Sequence, residues 1–416
     1  MQDKEPKPAG ADAVAQRQED GFKLHLKLSF MMFLQYAIWG AWAPILAMHL
    51  NNNLKLTGLQ IGYVFMTMPI ASILSPFIAG QIADRYFSTE RFLALVHFIG
   101  GLLLFAMARI NSYGPFLWVM AVYALLYAPT VALTNSLSFH HLKDPEREFG
   151  GIRLWGTIGW IVIGWIFGLS LKLWSGLSVG ECLTVAGGIS ILLALYSLTL
   201  PHTPPSKKAE NPLAFLEALR MLRHRNFAVL FFISFFVATE LAFYYQLSAI
   251  FFQQSVGLAE SAVGPVMTIG QIAEVLVLAA LPFALKNLGM RNTIAIGIAA
   301  WPIRYFIFSL GKPMWLVIAA QALHGICYAF FFVAGQVYTN SVATDDIRAS
   351  AQSLITIATS GVGMLLGNIF AGWAMDFFRV GGQPDFHKIY LIPVAITFAC
   401  AVAFIIGFKE EKASAH

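Results

Sequence analysis

Charge is scarce in this chain. Asp, Glu, Lys and Arg make up 12% of its 416 residues, against roughly 25% in an ordinary soluble domain. Cysteine is scarcer still. Cys182, Cys327 and Cys400 all fall in or beside apolar runs, which suits buried thiols and excludes a disulfide framework. No glycine-rich loop ends in Lys-Ser or Lys-Thr, no His/Cys spacing suits a metal, and no polar stretch is long enough for a nucleotide-binding domain. An ATP-driven pump and a membrane metalloenzyme therefore lack a sequence basis, and neither a cofactor nor enzyme chemistry is expected. The net charge of +5 is no nucleic-acid signal, because the basic residues lie between apolar runs rather than in one patch.

Apolar residues are abundant instead, at 58% of the chain, with 35 phenylalanines. They gather into about a dozen runs. A run of 20 residues crosses roughly 30 Å of hydrocarbon as a helix. The pattern predicts spans near 27–48, 59–80, 91–110, 114–138, 154–173, 179–200, 226–250, 262–285, 292–310, 314–338, 349–373 and 388–408. The fold expected is an all-α membrane protein of twelve transmembrane helices. Residues 25–200 and 226–408 form its two six-helix halves, joined by a basic linker at 201–225.

Residues 1–24 read as a disordered polar tail, and 409–416 as a second short tail. The first apolar run has no small-residue cleavage pattern and is expected to be retained. In the linker, the stretch Leu213-Ala-Phe-Leu-Glu-Ala-Leu-Arg-Met-Leu-Arg is amphipathic and predicts a short helix on the membrane surface. About 20 Lys and Arg fall in the tails and even-numbered loops, and about six in the odd-numbered loops. The positive-inside rule then places both termini in the cytoplasm.

The halves carry traces of a repeat. Gly80-Gln-Ile-Ala-Asp84-Arg85 follows span two, and Lys286-Asn-Leu-Gly289-Met-Arg291 follows span eight. Spans five and eleven open on Arg153 and Arg348 and continue with spaced glycines, which let helices approach closely. Duplicated halves suit a secondary transporter with a site near mid-membrane between them.

Gly80-x-Ile-Ala-Asp84-Arg85 resembles the loop between spans two and three of the major facilitator superfamily. That resemblance implies a gating role for Asp84 and Arg85 between the halves. Five further stretches narrow it: Phe33-Leu-Gln35-Tyr-Ala-Ile-Trp39-Gly40-x-Trp42, Pro129-Thr130 with Asn135, Arg153-Leu-Trp155-Gly156-Thr157-Ile-Gly159-Trp160, Gln271-Ile-Ala-Glu274, and Asp346-Ile-Arg348-Ala-Ser350-Ala-Gln352. Together they resemble the nucleoside:proton symporters of that superfamily, from about Leu26 to Phe408. The resemblance implies a nucleoside substrate, a proton as coupling ion, a bacterial-type inner membrane and a monomer within the lipid bilayer.

The same residues stand out on physical grounds. An ionisable group deep in a span costs at least about 2.5 kcal/mol to insert, so it should face a cavity or a partner. Glu274 is such a group, and Gln271 lies one turn earlier on the same face. Burial disfavours the charged form of a carboxyl, which suits Glu274 to carrying a proton as well as binding substrate. The competing reading is a structural hydrogen bond between spans. Arg153, Thr157 and Trp160 share one helical face and offer a guanidinium, a hydroxyl and a ring to a flat polar ligand. Trp160 stands where the family pattern has Phe; Arg153 would also suit a cytoplasmic anchor. His324, Tyr328 and Gln35 are further candidate contacts, with Trp39 beside Gln35.

Two departures stand against the resemblance. In Glu240-Leu-Ala242-Phe-Tyr-Tyr245-Gln246, Ala242 and Tyr245 occupy positions where the family pattern has amides. Gln246 is displaced by one residue, about 100° around the helix, yet remains a candidate contact. In span ten, Ala329 stands where an aspartate is expected, removing one candidate proton carrier. Arg304 is expected to pair with an acid, Asp376 or Glu240, or with backbone carbonyls. The alternatives are a sugar or glycoside proton symporter and a receptor-like protein that binds without transporting.

Overall fold

The computed structural model describes residues 11–78, 88–204, 214–344 and 347–409. Ten helices among them are long and apolar enough to cross a bilayer. The longest, Glu260–Leu310, is broken at Gly289, whose φ of 77° and ψ of 167° leave the helical region. Only glycine adopts that conformation without strain, so the break separates two spans. A shorter apolar helix, Glu181–Ser197, completes twelve passages. In chain order they are α1 (Gly21–Asn52), α2 (Gly58–Pro76), α3 (Thr89–Met107), α4 (Tyr113–His141), α5 (Arg147–Leu173) and α6 (Glu181–Ser197). There follow α7 (Arg225–Gln254), α8 (260–288), α9 (290–310), α10 (Met314–Val342), α11 (Arg348–Phe377) and α12 (Phe386–Gly407). A two-residue hairpin joins α11 to α12, turning on Gly381 and Gly382 at positive φ.

The N-terminal tail departs from expectation, whereas the linker stretch forms the short helix expected. The stretch read as a disordered tail is helical from Ala11 onward, continuous with α1. Its Ala, Gln and Arg residues are good helix formers, which outweighs their polarity. The amphipathic linker stretch is a tight helical segment, Ala214–Arg223. It packs on protein as well as facing outward. Ala218 and Met221 are buried against Phe227, Ile347, Ala351 and Leu354, while Leu216 and Leu219 remain exposed.

Glycine places the helices close together. A Cβ at Gly159 of α5 would collide with the Phe33 carbonyl of α1. Between the first and last six spans, a Cβ at Gly58 of α2 would strike the Gly372 carbonyl of α11. One at Gly168 of α5 would strike Ser261 and Pro265 of α8. Close backbone approach of this kind is how helices pack in lipid, where apolar burial adds no driving force. The α2–α11 and α5–α8 seams therefore join the two sets of six.

Hydrogen bonds reinforce the ends of these seams remote from the termini. Asn52 Nδ2 donates to Gln253 Oε1 (2.6 Å), and Gln253 Nε2 to Glu260 Oε1 (2.8 Å). Asp376 at the end of α11 accepts from the backbone N–H groups of Gly58 (2.7 Å) and Leu59 (2.8 Å). Those N–H groups open α2 and have no partner within the helix, so the carboxylate satisfies them and complements the helix dipole.

Candidate functional site

A cavity of about 310 Å³ lies between the two sets of helices, within the size range of small-molecule sites. Residues of α1, α2, α4, α5, α7, α8, α10 and α11 line it. Both seam helices of each set contribute, so relative movement of the sets would reshape it.

On the α5–α8 side, the helical spacing predicted from sequence is realised. Arg153, Thr157 and Trp160 of α5 and Gln271 and Glu274 of α8 all line the cavity. The Arg153 guanidinium lies 3.9 Å from the ring centroid of Tyr36 on α1, a cation–π contact that steadies its planar group. Glu274 of α8 lines the same cavity as this guanidinium. Trp160 meets Trp39 edge to face at 5.6 Å. The Gln271 amide lies beside the Tyr244 hydroxyl, and neither oxygen makes a well-formed hydrogen bond among the described residues. A donor from a ligand would satisfy the Gln271 oxygen. Tyr328 of α10 and Tyr245 of α7 complete an aromatic wall.

Three predicted contacts lie elsewhere. Gln35 is buried between α1 and α4, where its Nε2 donates to Thr130 Oγ1 (2.8 Å) and its backbone carbonyl accepts from the Tyr127 hydroxyl (2.7 Å). It ties two helices together, and its chain neighbour Tyr36 faces the cavity instead. His324 is fully buried behind the wall, stacked on Tyr244 at 4.8 Å. Gln246 is fully buried against α11. The phase of α7 explains this. Ala238, Leu241 and Tyr245 share the face that lines the cavity. Thr239, Ala242 and Gln246 share the next face, where Gly367 lets α11 press against Thr239 and Ala242. The gating pair Asp84 and Arg85 lies outside the described residues.

The expected acid for Arg304 is also corrected. Asp376 caps α2, and Glu240 Oε1 accepts from Thr239 Oγ1 (3.0 Å). Arg304 is fully buried, and its Nη1 donates to His324 Nδ1 (2.8 Å). Because a guanidinium only donates, that His324 nitrogen is the acceptor and the proton sits on Nε2. The rings of Tyr244, Trp301 and Tyr305 surround the cation at 4.6 to 4.9 Å, replacing a carboxylate with ring faces. Ala329 is buried and absent from the cavity lining.

Sequence reasoning missed Tyr36, Gln336, Thr359, Ser360 and Asn368, which also line the cavity. Two of them, Thr359 and Ser360, stand on a helical irregularity. The segments Cys327–Val333 of α10 and Ile357–Gly363 of α11 are π-helical. Their extra residue per turn shifts the side-chain phase, as often happens at functional sites. No periodic signal in the sequence marks such a shift.

The family described as "Nucleoside H+ symporter" matches residues 22–413. Xanthosine permease of Escherichia coli (strain K12) is 33% identical, over 92% of this chain and 96% of its own. Nucleoside permease NupG of the same organism is 30% identical, over 93% and 96%. The crystal structure of the nucleoside transporter NupG superposes with a TM-score of 0.84 at 28% identity, covering 93% of this chain and all of that one. A POT family transporter, PepTSo, shares the fold alone, with a TM-score of 0.72 at 14% identity. The architecture is thus the twelve-helix major facilitator fold, and the protein is a membrane transporter rather than an enzyme. By sequence and by structure, the chain belongs to the nucleoside H+ symporter family.

Proposed function

We propose that the chain imports nucleosides across an inner membrane by proton symport, its two six-helix halves alternating access to the shared cavity. The observation that carries this reading is one cavity holding a carboxyl, Glu274, beside a guanidinium, a hydroxyl, an amide and aromatic planes. A base stacks on Trp160 or Tyr328, while Arg153, Thr157, Gln271 and Glu274 bind ribose hydroxyls and base edges. Glu274 is the group that takes up the proton. Coupling follows if substrate and proton each raise the other's affinity at this one site.

The charge distribution of the loops supports cytoplasmic termini. On that orientation, the Asp376 and Asn52 contacts hold the outer end together while the cavity serves the cytoplasmic side. Purified protein in liposomes should accumulate uridine when the outside is acid, and only equilibrate it without a pH gradient. Competition by adenosine but not by ribose or disaccharides is expected. Accumulation of a disaccharide instead would replace this reading with that of a sugar symporter.

Asp376→Ala removes the acceptor for two backbone N–H groups at the outer seam. Each lost charge-assisted hydrogen bond is worth about 1.5–3 kcal/mol. The variant should favour the outward-open arrangement, measured as faster labelling of a cysteine placed at Ser72 by an impermeant thiol reagent from outside. Unchanged labelling would show that the seam is held by helix packing alone.

A further inference from the structure

Asn368 on α11 lines the cavity from the α2–α11 seam, across from the groups that sequence reasoning assembled on α5 and α8. Asn368 is 1% exposed, so its amide is buried within the protein rather than turned to lipid or open water. Gln246 reaches it from behind. With its amide nitrogen turned towards α11, Gln246 donates to Asn368 Oδ1 (3.3 Å) and to the Asn368 carbonyl (2.9 Å). Its own oxygen then accepts from the Gly372 N–H (3.3 Å). Any other orientation opposes like groups, so this one is favoured. With Oδ1 held by Gln246, the Asn368 amide nitrogen is the side-chain group left to face the cavity that Asn368 lines. A ligand acceptor in the cavity would give this donor a partner.

From this geometry we infer that Asn368 is a substrate-binding and specificity-determining residue, donating to an acceptor on the nucleoside, and that Gln246 is its positioning residue. The inference rests on the proposed nucleoside transport and adds a second polar end to the site. It also gives a physical account of the altered α7. Tyr245 and Ala242 supply no amide, and an amide arrives instead from α11, held by the displaced Gln246. Ligands with polar groups at both ends would bridge the two seams, with aromatic rings such as Trp160 and Tyr245 between them.

The test uses the full-length protein in detergent, with uridine as probe, read by calorimetry. Asn368→Leu and the near-isosteric Asn368→Asp each remove the donated hydrogen bond and should weaken uridine binding about tenfold, equivalent to about 1.4 kcal/mol. Gln246→Leu should weaken it less in the wild-type background and have no further effect beside Asn368→Leu. A residue that merely supported the fold would add its effect in both backgrounds. Unchanged uridine affinity in Asn368→Asp would overturn the binding role, and additive losses would overturn the positioning role. If wild-type protein binds neither uridine nor adenosine, the nucleoside reading itself fails, an outcome distinct from both.

Discussion

Glu274→Gln is expected to abolish uridine accumulation driven by a pH gradient while leaving uridine exchange across the membrane. The substitution keeps the shape of the side chain and its hydrogen-bonding capacity towards a ribose but removes the proton that moves. One pH unit across the membrane is worth about 1.36 kcal/mol per proton, so a one-to-one symporter concentrates substrate about tenfold per unit. The variant should bring that ratio to one. Counterflow with preloaded uridine should still proceed, because it needs binding and reorientation but no net proton movement. Arg153 facing the same cavity makes the prediction sharper. Substrate that engages Arg153 is thereby linked to the protonation of a carboxyl that lines the same cavity. That linkage is lost with the carboxyl. Wild-type accumulation by Glu274→Gln would move coupling to another acid, and Glu240, fully buried on α7, would be next to examine.

The second large effect belongs to Trp160. Trp160→Ala should weaken uridine binding by about 1–3 kcal/mol, the range for a base stacked on an aromatic ring. This corresponds to roughly five- to 150-fold in Kd. Trp160 also packs on Gly40 of α1 and meets Trp39 edge to face, so truncation loosens the α1–α5 contact. Trp160→Phe separates the two effects. It retains a ring and should recover most of the affinity, whereas a purely structural role would follow thermal stability rather than ligand affinity. Unaltered affinity in a stably folded Trp160→Ala protein would place the base elsewhere along the aromatic wall.

The individual residues show where sequence reasoning reached and where it stopped. Arg153, Thr157 and Trp160 were legible as a wall because α5 is regular there, and positions four and seven residues apart must share a face. Gln271 and Glu274 were legible for the same reason on α8. Gln35 and Gln246 were assigned to the site from their polarity and the resemblance to a family pattern. Helix phase turns each of them to a neighbouring helix, and Tyr36 and Tyr245, one residue away, face the cavity. His324 was chosen as a polar residue on a lining helix, but it serves Arg304 behind the wall. Asn368 carried no signal because it lies beyond a π-helical turn and its significance depends on Gln246, 122 positions away in the chain.

By itself the sequence determined that this protein is a helical membrane protein of twelve spans, since apolar run length against bilayer thickness permits little else. It determined as well the orientation to be expected from Lys and Arg placement and the polar faces of regular helices. Only the tertiary structure decided which faces point inward. In a chain that is apolar nearly throughout, hydrophobic periodicity no longer separates lipid-facing from partner-facing positions. That choice is made by close approaches at Gly58, Gly159, Gly168 and Gly367, which set each helix's rotation against its neighbours. It also depends on partners distant in sequence, as when the rings around Arg304 do the work expected of an acid.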